Sequence, residues 1–247
     1  MLAKSGYFMG HNLSQETESN AITNFEDIEV NRINEALLAQ AVPKRPRVIG
    51  KWVYKERPVQ WQRWLARVPL GTEIPAIPSE TYKIKKLVGT EPYCFKDPRL
   101  SYVLPVWRPL LKDNTVFICV FRDPVTTAQS MLKLSRKASH LQDLKLTFEH
   151  AIEVWTLMYQ HIIELHRKEG EWLFLHHQQT LTSEGLERLR CFTGANTDSS
   201  ILDSSYYKSL SINPPSYASQ LVYQQLCNLA GYQDASLISQ ESVCNPS

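Results

Sequence analysis

A short apolar run that ends in a charged turn is the feature that most constrains the fold of this chain. Residues 116–121, VFICVF, are rich in β-branched and aromatic side chains, which is typical of a strand buried on both faces of a parallel sheet. Arg122, Asp123 and Pro124 follow at once. Because Pro124 suits a first helical turn and Asp123 suits the cap before it, the pattern predicts a strand, a tight turn and a helix from Val125.

The position of Arg122 at the end of this strand suggests a ligand site. Ligands of open α/β sheets bind at the carboxyl ends of the strands. Ser130 lies eight residues after Arg122, about two helical turns along the predicted helix. An arginine and a serine hydroxyl at such an edge are well suited to bind a phosphate group. The alternative is a strand-to-helix turn whose arginine only pairs with a carboxylate.

The rest of the hydrophobic pattern alternates between helices and short strands. Such alternation predicts an α/β fold with a parallel sheet and helices on both faces. The six prolines in residues 41–80 argue against long regular elements there. Helices are expected over residues 25–40, 59–66, 100–111, 125–134, 144–168, 183–192 and 220–231, and strands over 93–95, 116–121 and 172–175.

The sequence also predicts the N-cap residues of two helices and the exposure of two histidines. Asn24 is a plausible N-cap for the helix over residues 25–40, and Ser219 is a plausible N-cap for the last helix. His161 and His166 are expected on the exposed side of the long amphipathic helix that contains them. No metal is expected, because there is no spacing that suits a metal site among His11, His140, His150, His161 and His166.

The overall composition narrows the functional classes. With 247 residues and 43% hydrophobic content, the chain is long enough for one α/β domain over residues 1–247, with residues 233–247 as a frayed tail. The net charge of +2 argues against bulk binding of nucleic acid. Five cysteines without a C-x-x-C pair indicate neither a zinc site nor a disulfide framework, and they favour a reducing cytoplasm. No membrane span and no signal peptide are expected.

The motif R-D-P-x-x-x-x-x-S at residues 122–130 resembles the segment with which sulfotransferases bind the 3′-phosphate of PAPS, the activated sulfate donor. The resemblance implies a three-layer parallel sheet with helices on both faces, the P-loop NTPase-like sulfotransferase fold. It also implies metal-free transfer of a sulfonate group from PAPS to a hydroxyl or amine acceptor, a carbohydrate or a small metabolite. Weaker similarity covers most of the chain, in the segments GYFMGHNL, NFEDIEVNRINEALL, YCFKDPRLSYVLPVWRPLL, WLFLHHQQTLTSEGLERLRCFTG and LDSSYYKSL.

The same resemblance assigns nucleotide-binding residues. Arg122 and Ser130 correspond to the ligands of the 3′-phosphate, in PAPS before transfer and in its product PAP afterwards. Lys208 corresponds to a contact from the loop that closes on the nucleotide, although a solvated loop lysine is the simpler interpretation. Lys96 follows another predicted strand. Because the carboxyl ends of parallel strands share one edge, Lys96 and Arg122 are expected to open onto one cleft.

Three residues are candidates for catalysis. Lys96 resembles the family lysine near the transferred sulfonate, or it is an ordinary surface lysine. Glu26 falls where carbohydrate-type members carry their base, or it is an acid favoured by the dipole at the start of a helix. Asp97 is a second candidate for the base, or a turn residue before Pro98.

One family feature is not matched near the N-terminus. Sulfotransferases bind the 5′-phosphosulfate with a turn of the type R/K-S-G-T-[ST], whose backbone N–H groups cradle the anion. Here Lys4, Ser5 and Gly6 are followed by Tyr7, and no strand is predicted before them. This departure favours an alternative, a catalytically inactive sulfotransferase-like protein that binds PAP or serves as an assembly module. A P-loop kinase would need the motif G-x-x-x-x-G-K-[ST], which the sequence lacks.

Overall fold

A parallel pair of strands lies at the centre of the structure, a computed structural model. Strand β1 spans Phe117–Phe121 and strand β2 spans Trp172–His176, so the two strands predicted over residues 116–121 and 172–175 are confirmed. Their register pairs the first residue of β1 with the first of β2 and the last with the last. The structure describes residues 2–13, 25–46, 49–195 and 216–234.

Helices make up most of the described chain, but they alternate with the strands less regularly than predicted, since four α-helices precede β1. The helix expected over residues 59–66 is wrong except for the 3₁₀ turn Arg63–Leu65. The 3₁₀ segments are Leu2–Ser5, Arg63–Leu65, Arg108–Leu110, Ser139–Leu141, His166–Lys168 and Gln179–Leu181, and His161–Leu165 is a π turn. The α-helices are α1 Ile28–Leu38, α2 Gly50–Val53, α3 Pro78–Leu87, α4 Leu100–Trp107, α5 Pro124–Lys137, α6 Phe148–Gln160, α7 Ser183–Thr193 and α8 Tyr217–Ala230.

Helices pack against both faces of the strand pair, since successive side chains of a strand point to opposite sides. Val120 of β1 is nevertheless 46% exposed, so the prediction that this strand is buried on both faces holds only in part. On one side, Phe121 of β1 and Phe174 of β2 pack in a core with α6 and α8, around Trp155 and Leu226. On the other side, Leu175 and its neighbours pack against α7. The described structure is therefore a mixed α/β arrangement with a small parallel sheet between helices.

A second core lies between α1, α3 and α4. It includes Ile33 of α1, Ile84 of α3 and Trp107 of α4, all of which are buried. Phe8 joins the residue 93–95 segment to this core, because its N–H donates to the Pro92 carbonyl at 2.7 Å and its own carbonyl accepts from the Cys94 N–H at 2.9 Å. The strand predicted over residues 93–95 is present as this short parallel bridge between Phe8 and Tyr93.

The helix caps differ from the prediction in two places. The carboxylate of Asp27 caps α1 by accepting the N–H groups of Glu29 and Val30, and Asn24 lies outside the described residues. Ser216, not Ser219, caps α8, so that helix begins one turn earlier than the pattern indicated. Serine and aspartate are equally good caps at several nearby positions, so the sequence alone did not select between them.

The prediction that His161 and His166 lie on a helix surface is wrong, since both are buried. Their Nε2 atoms contact the carbonyls of Val68 and Ser101 at 3.1 and 2.8 Å. His161 continues the buried face of α6, three residues after Met158. The π turn explains the burial of His166. The bond from the His166 N–H to the His161 carbonyl spans five residues instead of four, which brings His166 onto the same side.

Within the described ranges, none of the helices is long and apolar enough to cross a membrane. The same ranges contain no group of three or more His, Cys, Asp or Glu side chains that could hold a metal ion. Lys208, Cys244 and residues 235–247 lie outside the described residues, so the expectations placed on them stay predictions.

Gly10 is required for the close approach of the N-terminal segment to α1. Its φ is +115°, and a Cβ there would overlap the Asp27 side chain. We expect Gly10→Ala to lower the free energy of unfolding by roughly 2 kcal/mol, from left-handed strain plus this overlap. Gly6→Ala is the matched control, since Gly6 has φ +84° but open space around it. Urea unfolding measures both, and equal losses would show that the contact with Asp27 is unimportant.

Candidate active site

Arg122 is positioned by the turn that links β1 to α5. Asp123 caps α5, because its Oδ1 accepts the Thr126 N–H at 2.7 Å. Pro124 is the first residue of that helix, one residue earlier than predicted. The side chain of Arg122 therefore projects from the carboxyl end of β1 beside the N-terminus of a 14-residue helix. Both the peptide N–H groups at such an end and a guanidinium favour an anion.

Within the described residues, the Arg122 guanidinium has no carboxylate partner that would give it a purely structural role. It is half-buried, and it forms no ion pair or hydrogen bond with any residue in the described ranges. Ser130 lies on α5 and is exposed. The two predicted 3′-phosphate ligands thus follow the same strand and lie on or next to the same helix, as the sequence indicated. The alternative, an arginine that only neutralises a carboxylate, finds no contact in its support.

Aromatic side chains pack next to Arg122 at the end of β2. The ring of His176 stacks on Tyr232 at a centroid distance of 3.9 Å and contacts Phe121 at 5.3 Å. Burial lowers the pKa of His176 to about 4, so this imidazole is neutral near pH 7. The Tyr223 hydroxyl, 3.4 Å from His176 Nε2, donates to Asp234 at 2.5 Å. This end of the sheet is therefore well packed around Phe121, the residue before Arg122.

The structure brings two of the catalytic candidates into direct contact, although 70 residues separate them in the chain. Lys96 Nζ lies 2.9 Å from Glu26 Oε1. The Lys96 side chain is 55% exposed and that of Glu26 is 18% exposed, so the pair borders solvent. Asn31 of α1 donates to the other Glu26 oxygen at 3.3 Å. A carboxylate and an ammonium held together at a surface are the groups that proton abstraction and charge stabilisation need.

Asp97, the third candidate, belongs to a buried polar network. Its side chain is fully buried and accepts hydrogen bonds from the Arg99 backbone at 2.8 Å, the Arg99 guanidinium at 3.0 Å and Asn34 at 2.9 Å. Burial raises the pKa of Asp97, and the positive charge of Arg99 opposes that rise. Because its oxygens face these donors and not solvent, the geometry favours a structural role for Asp97 and leaves Glu26 as the base candidate at the surface.

Glu35 completes the network on the other side of Arg99. Its oxygens accept from Arg99 Nε at 2.9 Å and Arg63 Nη1 at 2.8 Å, and also from the backbone N–H groups of Trp61 and Arg63. Trp61 has a φ of +70°, a left-handed conformation that this bond helps to hold. The network thus links α1, the start of α4 and the segment around Trp61, and it adjoins Lys96 through the next residue in the chain, Asp97.

The sequence patterns did not predict this buried polar network next to the candidate catalytic residues. Asn34 and Glu35 are polar residues on the buried side of α1. Because buried polar groups almost always form hydrogen bonds, their positions in the helix pattern could have indicated that they bind polar groups elsewhere in the chain. Within the described residues, no contact joins the Glu26–Lys96 pair to Arg122. Their opening onto one cleft therefore stays a prediction.

Comparison of this chain with protein-family models, with curated proteins and with solved structures found no match. Its function must therefore be inferred from its own residues and their geometry.

Proposed function

We propose that this protein is a PAPS-dependent sulfotransferase with a three-layer, P-loop NTPase-like fold. The single observation that carries the proposal is the Arg122 side chain, which lies at the carboxyl end of β1 beside the start of α5 with no ion-pair partner in the described structure. A half-buried guanidinium without a counter-charge is costly unless an anion binds there. The motif of residues 122–130 supports a phosphate as that anion.

In this proposal Arg122 and Ser130 bind the 3′-phosphate of the nucleotide, and Lys208, which lies outside the described residues, stays a further predicted ligand. The guanidinium supplies two parallel N–H donors, and the serine hydroxyl supplies a third. The N-terminus of α5 contributes the positive end of its dipole. PAPS and PAP carry this 3′-phosphate and AMP does not, so the site would distinguish the sulfate donor from ordinary adenine nucleotides.

The pair of Glu26 and Lys96 would perform the chemistry. Glu26 accepts the proton of the acceptor hydroxyl while the acceptor oxygen attacks the sulfur of the donor. The bond between that sulfur and the phosphate oxygen breaks, and PAP leaves with the negative charge. Lys96 stabilises this developing charge, as cationic groups do in phosphoryl transfer. Carbohydrates or small metabolites are the acceptor class that we propose, and no metal takes part.

A second candidate function is a module that binds PAP without catalysis. It is favoured by the buried state of Asp97 and by the contact between Lys96 and Glu26, which holds the candidate base in an ion pair. Because Lys96 occupies Oε1 of Glu26, that oxygen would have to separate from Lys96 before it contacts an acceptor hydroxyl.

A transfer assay with radiolabelled PAPS and a panel of carbohydrate and small-metabolite acceptors tests the two functions against each other. We expect the wild-type chain to bind PAP but to transfer sulfonate only slowly, because the turn that cradles the 5′-phosphosulfate is not matched. Glu26→Gln should lower that transfer further, by a factor on the order of 10², since the variant removes the base. Glu29→Gln is the matched control because Glu29 is the other acid at the start of α1, and its activity should be unchanged. PAP binding without turnover would favour the binding module and would contradict the enzyme.

A further inference from the structure

His177 lies beside Arg122 at the carboxyl edge of the strand pair. Its backbone N–H donates to the Phe121 carbonyl at 2.7 Å, which extends the ladder of β1 and β2 by one bond. The register pairs Phe121 with His176, so the next step places Arg122 and His177 next to each other on adjacent chains. Neighbouring positions in a parallel ladder project their side chains to the same face of the sheet.

The His177 ring is half-buried and makes no hydrogen bond within the described ranges. Burial and the adjacent positive charge of Arg122 lower its pKa, so the ring is neutral near pH 7 in the free protein. Two donors, one cationic and one that gains a charge on protonation, thus stand side by side without partners. Without a bound anion, the positive charge of Arg122 in this pair therefore has no counter-charge among the described residues.

The other charged groups around this edge are engaged elsewhere. Asp123 directs Oδ1 to the Thr126 N–H, and Asp234 accepts the Tyr223 hydroxyl. Arg188 of α7 donates to the carbonyls of Ala230 and Phe174. His176, on the opposite face, is held neutral by burial. Arg122 is therefore the charge that dominates the surroundings of the His177 ring.

We infer that His177 is the second cationic ligand of the phosphate that Arg122 binds, and that it takes up a proton from solvent when a phosphate monoester dianion enters. This inference rests on the proposed function and adds a residue and a pH dependence to it. A dianion next to the ring stabilises the imidazolium and outweighs the effect of Arg122. Nucleotides with a 3′-phosphate should consequently bind more tightly as the pH falls toward 6.5, where the phosphate itself is still mostly dianionic.

Isothermal titration calorimetry of PAP against the full chain tests the inference. We expect the Kd to fall roughly tenfold from pH 8.5 to pH 6.5. In buffers of different ionisation enthalpy at pH 7.5, we expect uptake of about half a proton per PAP bound, the mean uptake that a tenfold change in Kd over two pH units requires. His177→Gln keeps a side-chain donor but cannot titrate, so its Kd should be higher and independent of pH over this range. His140→Gln is the control, because His140 is an exposed histidine on another segment, and it should behave like wild type.

Each other outcome has a distinct meaning. If PAP binds with a Kd that depends on Arg122 but not on His177 or on pH, the inference is wrong and the proposed function stands. The wild-type proton uptake needs no variant, so a value of zero would overturn the inference even if His177→Gln failed to fold. Absence of PAP binding by folded wild-type chain at both pH values would overturn the inference and the proposed function together.

Discussion

Glu35→Ala is expected to lower the free energy of unfolding by about 3–5 kcal/mol, the range for breaking a buried ion pair from one side. Glu35 accepts from the guanidinium groups of Arg63 and Arg99 and from two backbone N–H groups. Its removal leaves these buried donors without an acceptor, and Trp61 loses a bond that holds its left-handed backbone. Urea unfolding followed by tryptophan fluorescence gives the difference directly.

Two further variants separate the charge of Glu35 from its hydrogen bonds. Glu35→Gln keeps one acceptor oxygen but no charge, so its loss should be intermediate. Glu153→Ala removes the partner of Arg67 in a pair that is about half exposed, and it should have little effect. A Glu35→Ala protein as stable as wild type would show that the network does not support α1 and α4.

Mild acid is expected to destabilise the fold because histidines are buried in neutral form. Burial lowers the pKa of His150, His161 and His166, for His166 to about 4 from 6.5. A lowered folded-state pKa means that the unfolded chain binds the proton more tightly. The contribution is therefore fully present above pH 6.5 and is lost as the pH falls from 6.5 to 4. The loss of unfolding free energy from His166 alone is about 2 kcal/mol at pH 5 and about 3 kcal/mol below pH 4, relative to neutral pH.

Unfolding free energies measured at intervals between pH 7.5 and pH 5 test this dependence, in a range where most carboxylates remain ionised. His166→Gln retains an amide donor for the Ser101 carbonyl but cannot be protonated, so its stability should fall less steeply with acid. A wild-type stability that stays constant from pH 7.5 to pH 5 would contradict the neutral, buried state of these rings.

Local patterns predicted the central strand and its helix well. Strand β1, the Asp123 cap and the start of α5 follow from six apolar residues and an Asp-Pro pair, all of which act through neighbours in sequence. Pro78 illustrates the opposite case. It belongs to a proline-rich stretch that argues against helices, yet a proline at the first position of a helix is favourable, and α3 begins there.

Long-range contacts explain what the sequence could not show. The contact of Glu26 with Lys96 spans 70 residues, and the contact of Glu35 with Arg99 spans 64. No periodicity encodes such partners, since they depend on how α1 and α4 pack. The burial of His166 likewise depends on a π turn, which a 3.6-residue period does not anticipate.

The central claim is that Arg122 binds a 3′-phosphate, and calorimetry with PAP and AMP on the full chain and on Arg122→Ala tests it most directly. Wild-type chain should bind PAP more tightly than AMP. Arg122→Ala should weaken PAP by roughly 1.5–3 kcal/mol, the range for a charge-assisted hydrogen bond, and should leave AMP unchanged. Arg190→Ala, which removes an exposed arginine on α7 that pairs with Glu187, is the control and should bind PAP like wild type. Equal affinity of folded wild-type chain for PAP and AMP, or a PAP affinity that survives the loss of Arg122, would contradict the claim.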